Sequence, residues 1–215
     1  MAAAAFHAPA ARIILASGSP RRHAILTGLG VEFEVVKPEV EELSEGDPDE
    51  LVVENACRKA RAGLEQSASV TDRATASRLV IACDTDVALD GSLLGKAAGE
   101  AQARRHLEAL SGRTHEVLSG LVVAPAGGRT DARLESRVVR SRVAFKTLDG
   151  GLLNAYLRSG EWRGKAGAYA IQGLGSMLVE RIEGDFSNIV GLPLGALREL
   201  IPALFASFSH NWPKP

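Results

Sequence analysis

Cysteine is scarce in this 215-residue chain: Cys57 and Cys83 are the only two, and no CxxC pair occurs. Two are too few for a disulfide framework, and their spacing does not suit a thiolate zinc site, so both read as small apolar residues of a reducing compartment. An excess of charge of one sign is missing too. With 25 Lys and Arg against 26 Asp and Glu the formal net charge is −1, so no global field would hold the chain on a nucleic-acid polymer or an acidic membrane. Any basic site must be local. The five histidines, at 7, 23, 106, 115 and 210, never fall four residues apart, which removes the helical His pair of a zinc protease. No apolar run reaches the ~20 residues of a spanning helix, and residues 1–10 lack the basic and sustained apolar parts of a secretory signal. These absences point to the cytoplasm. There is also no GxxxxGK[ST] loop and no internal repeat.

What is present alternates strands and helices, the pattern of an α/β fold. The run RIILA at 12–16 stops at a Ser/Gly/Pro cluster, after which Ala24, Ile25, Leu26 and Leu29 recur at helical spacing. Ser19 is placed to cap that helix, Pro20 suits its first position, and Gly28 or Gly30 can end it. A strand follows at 33–36. Asp47-Pro48-Asp49-Glu50 opens a second helix with a capping box, and Leu51, Val52, Asn55, Ala56 and Ala60 give its buried stripe. Residues 66–78 read as a surface connection or a weak helix end. A buried strand at 79–82 then runs toward Asp90-Gly91, the dipeptide of a type I′ hairpin, which puts Asp84 at or near a strand end. Beyond it the pattern predicts a helix over 100–110 closed by Gly112, and strands over 117–124 and 138–145 around a Gly127-Gly128 turn. It then predicts a helix over 152–157, a strand over 177–182, and a last helix over 194–208 with Pro202 as its kink. At this length the expectation is one domain over 12–208 with two lobes, between a frayed start at 1–11 and a tail at 209–215.

Two places carry chemistry on local grounds. The first is Ser17-Gly18-Ser19-Pro20-Arg21-Arg22, where a helix N-terminus with unpaired N–H groups meets two hydroxyls and two forked guanidinium groups. It reads either as a di- or triphosphate grip or as an ordinary helix start with solvated arginines. The second is Asp84, carried to the edge of the core by the apolar run LVIAC. Such an acid suits Mg²⁺, which binds a few carboxylates together with substrate oxygens. Glu39, Glu41 and Glu42 offer a second acid, and Lys59 and Lys96 offer ammonium groups for phosphate. Residues 164–173 set Lys165 and Gln172 among glycines, which reads as a ligand-facing loop.

Taken together, SGSPRR at 17–22, CDT at 83–85, GK at 95–96, LSGRTH at 110–115, KAGAYAIQG at 165–173 and SNIVGLPL at 187–194 resemble the Maf family of nucleotide pyrophosphatases, in that family's order. The resemblance implies an elongated α/β fold with a curved mixed β-sheet flanked by helices and a deep central cleft, similar to inosine-triphosphate pyrophosphatases. It implies hydrolysis of a nucleoside triphosphate to the monophosphate and pyrophosphate with a divalent cation, Mg²⁺ or Mn²⁺. By the same resemblance Asp84 is the general base and, with Glu42, a metal ligand. Ser17, Ser19, Arg22, Lys59 and Lys96 bind substrate in the phosphate region, and Arg21, Thr85 and Gln172 are tied to substrate choice. Arg21 and Gln172 resemble the branch acting on dTTP and UTP; the 7-methyl-GTP branch has a tryptophan and a glutamate there. A glutamine amide offers one donor and one acceptor to O4 and N3–H of a pyrimidine, whereas a glutamate only accepts. Modified pyrimidine nucleotides are included in that expectation. The chain departs from the family at Asp86, which would share a strand face with Asp84, and at Ala97, where a proline is usual. The expected partner is the nucleotide, with homodimer formation left open. The alternative role is a nucleotide-binding regulator of cell division or septum formation.

Overall fold

The structure is a computed structural model that describes residue 6 and residues 11–68, 78–126 and 134–206. Its centre is a seven-stranded mixed sheet. The strands are β1 (Arg12–Ala16), β2 (Phe33–Val36), β3 (Arg78–Leu89), β4 (Ser92–Leu93), β5 (Thr114–Ala126), β6 (Glu135–Phe145) and β7 (Val179–Glu183). They lie in the order β2-β1-β3-β5-β6-β7, with β4 paired to the far end of β3. The pairs β1–β2 and β1–β3 are parallel, and the others are antiparallel. Among the described residues the α-helices are α1 (Pro20–Gly28), α2 (Pro48–Ala68), α3 (Glu100–Leu110), α4 (Gly150–Ser159), α5 (Phe186–Val190) and α6 (Leu194–Leu200).

The two-residue period of the strands sorts the core. Ile14, Ala16, Val80, Ala82 and Val122 face α2, where Ala56 and Ala60 let the helix lie close. Their neighbours Ile13, Leu15, Leu79, Ile81, Cys83, Leu121 and Val123 face the other way, toward Leu26 of α1 and Leu197 and Leu200 of α6. Past this sandwich the same strands β3 and β5 continue into a second apolar cluster. There Val87, Leu89 and Val117 pack with Leu107 and Leu110 of α3 and Leu153, Tyr156 and Leu157 of α4. Asp84 and Thr85 fall on β3 between the two clusters.

Several expected boundaries move. Strand β3 does not stop at residue 82 but runs on to Leu89, so Asp84 lies mid-strand, paired opposite Gly120 rather than at a strand end. The hairpin does form, with positive φ at Asp90 (51°) and Gly91 (78°). Asp47 Oδ1 accepts from the Asp49 and Glu50 amides, which is the N-cap half of the capping box, and α4 starts earlier than expected because Asp149 caps it. Ser19 stands at the N-cap of α1, but its hydroxyl makes no capping bond. Residues 173–178 form a short 3-10 helix, which delays β7 to Val179. The last helix ends at Leu200, and Pro202 begins a separate 3-10 turn, so the proline breaks rather than kinks it. The frayed start at 1–11 falls outside the described residues apart from Phe6, whose amide donates to Leu200 O at 2.8 Å, and Ala11. Residues 69–77, the Gly127-Gly128 turn and the tail at 209–215 also lie outside them.

Candidate active site

A cavity of about 570 Å³ opens where the two apolar clusters meet, between α1, β3, the segment after β4 and the loop over residues 163–172. Every sequence-derived site residue borders it: Ser17, Ser19, Arg21, Arg22, Glu42, Lys59, Asp84, Thr85, Lys96 and Gln172.

At one end the β1–α1 turn is held by Arg22, which is only 8% exposed. Its guanidinium donates to Gly191 O (2.6 Å), Ser17 Oγ (3.0 Å) and Thr85 Oγ1 (2.9 Å). Ser17 Oγ also accepts from the Ser19 amide at 3.2 Å, so both its lone pairs are used and its own O–H is left to donate. Thr85 is already engaged, since its hydroxyl shares a 2.8 Å hydrogen bond with Ser119 Oγ beneath it. Thr85 therefore acts on the cavity mainly by fixing Arg22. Arg21 donates from Nε to Val190 O at 3.1 Å. Burial, and then the neighbouring Arg22 charge, push the Arg21 guanidinium below its ordinary value.

Opposite this turn lies a chain of alternating charge. Lys59 Nζ sits 2.5 Å from Asp84 Oδ1 and 2.5 Å from Glu42 Oε1, while Lys96 Nζ reaches Glu42 Oε2 at 3.1 Å. Burial alone would raise the Glu42 carboxyl, but the two ammonium groups outweigh it and hold Glu42 below the usual range. Of the three glutamates only Glu42 borders the cavity, so the acidic segment contributes one carboxylate, not three. Asn55 is a site residue that sequence reasoning took for part of a buried stripe. Its Nδ2 donates to Asp84 Oδ2 (3.2 Å) and to Leu43 O (3.0 Å), and its Oδ1 accepts from the Leu43 amide (2.7 Å). It thus ties the Glu42 segment to the strand that carries Asp84. The signal was there, because Asn55 and Lys59 stand four apart on α2 and so share a face. Ser119, fully buried and paired with Thr85 across the sheet, was also missed; a lone serine inside the apolar β5 was its only trace.

Asp86 shares a strand face with Asp84 but does not border the cavity. It is turned onto the backbone amides of Val87 (2.7 Å) and Gly95. Burial, and then the Asp84 charge, push its carboxyl up to about 6 against those amides and Lys96. Glu42 and Asp84 converge on a single cationic group, and their hard oxygens suit Mg²⁺ or Mn²⁺, which complete their shells with substrate oxygens. The residues therefore fit a divalent cation. Among the described residues no group of three His, Cys, Asp or Glu side chains converges.

Residues 12–204 match the profile of the Maf-like proteins. The chain belongs to the Maf-like family. Two similar proteins are the dTTP/UTP pyrophosphatases of Deinococcus radiodurans and Dictyoglomus thermophilum. The first is 46% identical over 194 residues, 89% of this chain and 92% of the relative; the second is 42% identical over 195 residues, 89% and 95%. Among solved structures, a nucleoside-triphosphatase / dITP/XTP pyrophosphatase from Mycobacterium abscessus overlaps at a TM-score of 0.40 and 21% identity, covering 64% of this chain and 75% of that one. No described helix of this Maf-like chain is long and apolar enough to cross a membrane.

Proposed function

We propose that this chain is a nucleoside-triphosphate pyrophosphatase that hydrolyses dTTP, UTP or modified pyrimidine triphosphates to the monophosphate and pyrophosphate. The observation that carries the reading is the meeting of three parts in one cavity. These are the β1–α1 turn with its unspent donors, the Asp84–Lys59–Glu42–Lys96 chain, and Gln172 of the 163–172 loop. The names of the 40–46% identical relatives support the substrate class.

The donors available to phosphate can be counted. Pro20 brings no N–H, so the first free backbone donors of α1 are those of Arg21 and Arg22, at the positive end of the helix. Ser17 adds a hydroxyl, and Arg22 keeps two of its five N–H groups. Lys59 keeps one and Lys96 two. Asp84 spends two of its four lone-pair sites on Lys59 and Asn55, which leaves capacity to accept a proton from water. In the proposed step that water attacks the α-phosphorus, the bond from the α-phosphorus to its bridging oxygen breaks, and pyrophosphate leaves with the bond's electrons while Asp84 takes the proton. Lys59, Lys96 and the helix end stabilise the charge on the leaving group. When bound at Glu42 and Asp84, Mg²⁺ or Mn²⁺ supplies neutralisation of the phosphate charge. The same reading treats residues 12–208 as one two-lobed domain acting in the cytoplasm.

The test is Asp84→Asn with pyrophosphate detection across a panel of triphosphates. Turnover of UTP and dTTP should fall by about 10²–10⁴ with little change in melting temperature. Activity close to the parent's would end the assignment of the base, and a preference for 7-methyl-GTP would end the reading of Arg21 and Gln172.

A further inference from the structure

The charges around the cavity do not balance evenly. At the Asp84 end every carboxylate has an ammonium partner. Arg21 and Lys165 also border the cavity, and among the described residues neither forms an ion pair. Lys165 Nζ donates only to Arg163 O, at 3.1 Å, so two of its three N–H groups are unspent. Glu161, the acid whose charge acts on Lys165, has turned its oxygens to the amides of Leu174 (3.0 Å) and Gly175 (3.1 Å). Burial, and then the Arg21 charge, push Lys165 below its ordinary value, with Glu161 only partly opposing. Two cations held near each other in a partly buried cavity repel, and an anion between them relieves that cost.

The loop fixes where along the cavity this pair lies. Ala166 forms an antiparallel bridge with Lys96, and the Gly167 amide donates to Gly95 O at 2.9 Å. Lys165 is thereby anchored beside the residue that serves the phosphate end. Further along the loop, the Ala170 amide donates to Tyr156 Oη at 3.0 Å, ahead of Gln172 at the other end. Arg21 likewise adjoins Arg22 in the turn. A nucleotide laid with its pyrophosphate along Lys59 and Lys96 and its base toward Arg21 and Gln172 brings its α-phosphate to Lys165, which lies between them on the loop.

We infer that Lys165 grips the α-phosphate, the group that stays with the nucleoside after cleavage. This rests on the proposed pyrophosphatase reading. Because negative charge builds on the α-phosphoryl oxygens as the water, losing its proton to Asp84, adds to the α-phosphorus, the contact strengthens in the transition state and so acts on kcat as well as on binding.

The test compares Lys165→Met and Lys165→Arg with the parent, titrating UMP and inorganic pyrophosphate separately by calorimetry and following UTP turnover. Lys165→Met should weaken UMP binding about tenfold or more, the size expected for a lost charge-assisted hydrogen bond. It should leave pyrophosphate binding unchanged and lower kcat, and the arginine variant should recover part of the UMP affinity. Unchanged UMP binding in Lys165→Met overturns the inference. So does an equal loss for both ligands, or a parent chain that binds pyrophosphate but not UMP. A parent that releases no pyrophosphate from any triphosphate, while Lys165→Met still loses UMP, would end the hydrolytic reading and leave the Lys165 contact standing.

Discussion

Arg22 shows how one side chain can build a site before any ligand arrives. Its guanidinium satisfies a carbonyl of the segment after α5, a hydroxyl of the β1–α1 turn and a hydroxyl of β3 at once. Only a planar fork reaches three such acceptors, so lysine is not an equivalent substitute. Arg22→Lys should cost about 1–3 kcal/mol, the penalty for buried acceptors left unsatisfied, and urea unfolding measures it. A variant as stable as the parent would mean that the turn is held by its backbone alone. His115 packs among the aromatic residues of the far cluster, 1% exposed, with Nε2 at 2.8 Å from Tyr169 Oη and edge-on contacts to Phe145 and Tyr169. Burial pushes its imidazole from 6.5 down to about 4. The unfolded chain therefore takes up this proton first as pH falls, so the associated stability is complete above about pH 6.5 and is lost between there and pH 4. The loss amounts to roughly 3 kcal/mol. Unfolding curves of His115→Gln should lack that part of the acid slope. At this scale the sequence exposed the charged residues well, because burying a charge needs a reason. It hid Asn55 and Ser119, whose roles depend on partners 29 and 34 residues away.

Among the elements, α2 does most to position the site, since it carries both Asn55 and Lys59. Its depth is set by small residues on the sheet. A Cβ on Gly120 of β5 would lie 2.1 Å from Val52 O and 2.4 Å from Val52 C, which are backbone atoms of α2. Gly120→Ala must push the helix outward, costing about 1–3 kcal/mol or more as overpacking, and must move Lys59 away from Asp84. It should lower both the melting temperature and UTP turnover. Gly28, the last residue of α1, has nothing within 4 Å of such a Cβ and no positive φ. Gly28→Ala should raise stability by up to about 1 kcal/mol through helix propensity, without touching turnover. A pair of variants with equal effects would contradict this packing account. Local signals were enough for β1, β2 and the starts of α1 and α2, where caps, proline and alternation agree. They failed where tertiary pairing extends an element, as at β3, whose polar Asp84-Thr85-Asp86 reads as an ending until β5 is known to run beside it. They failed again at residues 173–178, where Glu161 accepts from the Leu174 and Gly175 amides and an apparent strand start becomes a 3-10 helix.

For the whole molecule, the cavity is assembled from segments far apart in the chain: the turn after β1, the Glu42 segment, α2, β3, the residues after β4, the 163–172 loop and α5. The sequence motifs named most of these pieces, but nothing local says that Lys165 lies beside Lys96, because that depends on the Lys96–Ala166 bridge. Such a cavity holds cations on several independent walls with a net chain charge of only −1, so a polyanion that joins the walls stabilises the fold as a whole. A slowly hydrolysed UTP analogue at a hundred times its dissociation constant should add about 2.7 kcal/mol, a rise of roughly 5–10 °C for a chain of this size. Differential scanning calorimetry measures it. The rise should shrink as salt screens the cavity charges, while the melting temperature without nucleotide, set by apolar packing and a near-neutral net charge, should move little. A rise independent of salt would place the nucleotide's hold in its base rather than its phosphates, and no rise at all would remove the nucleotide from this cavity.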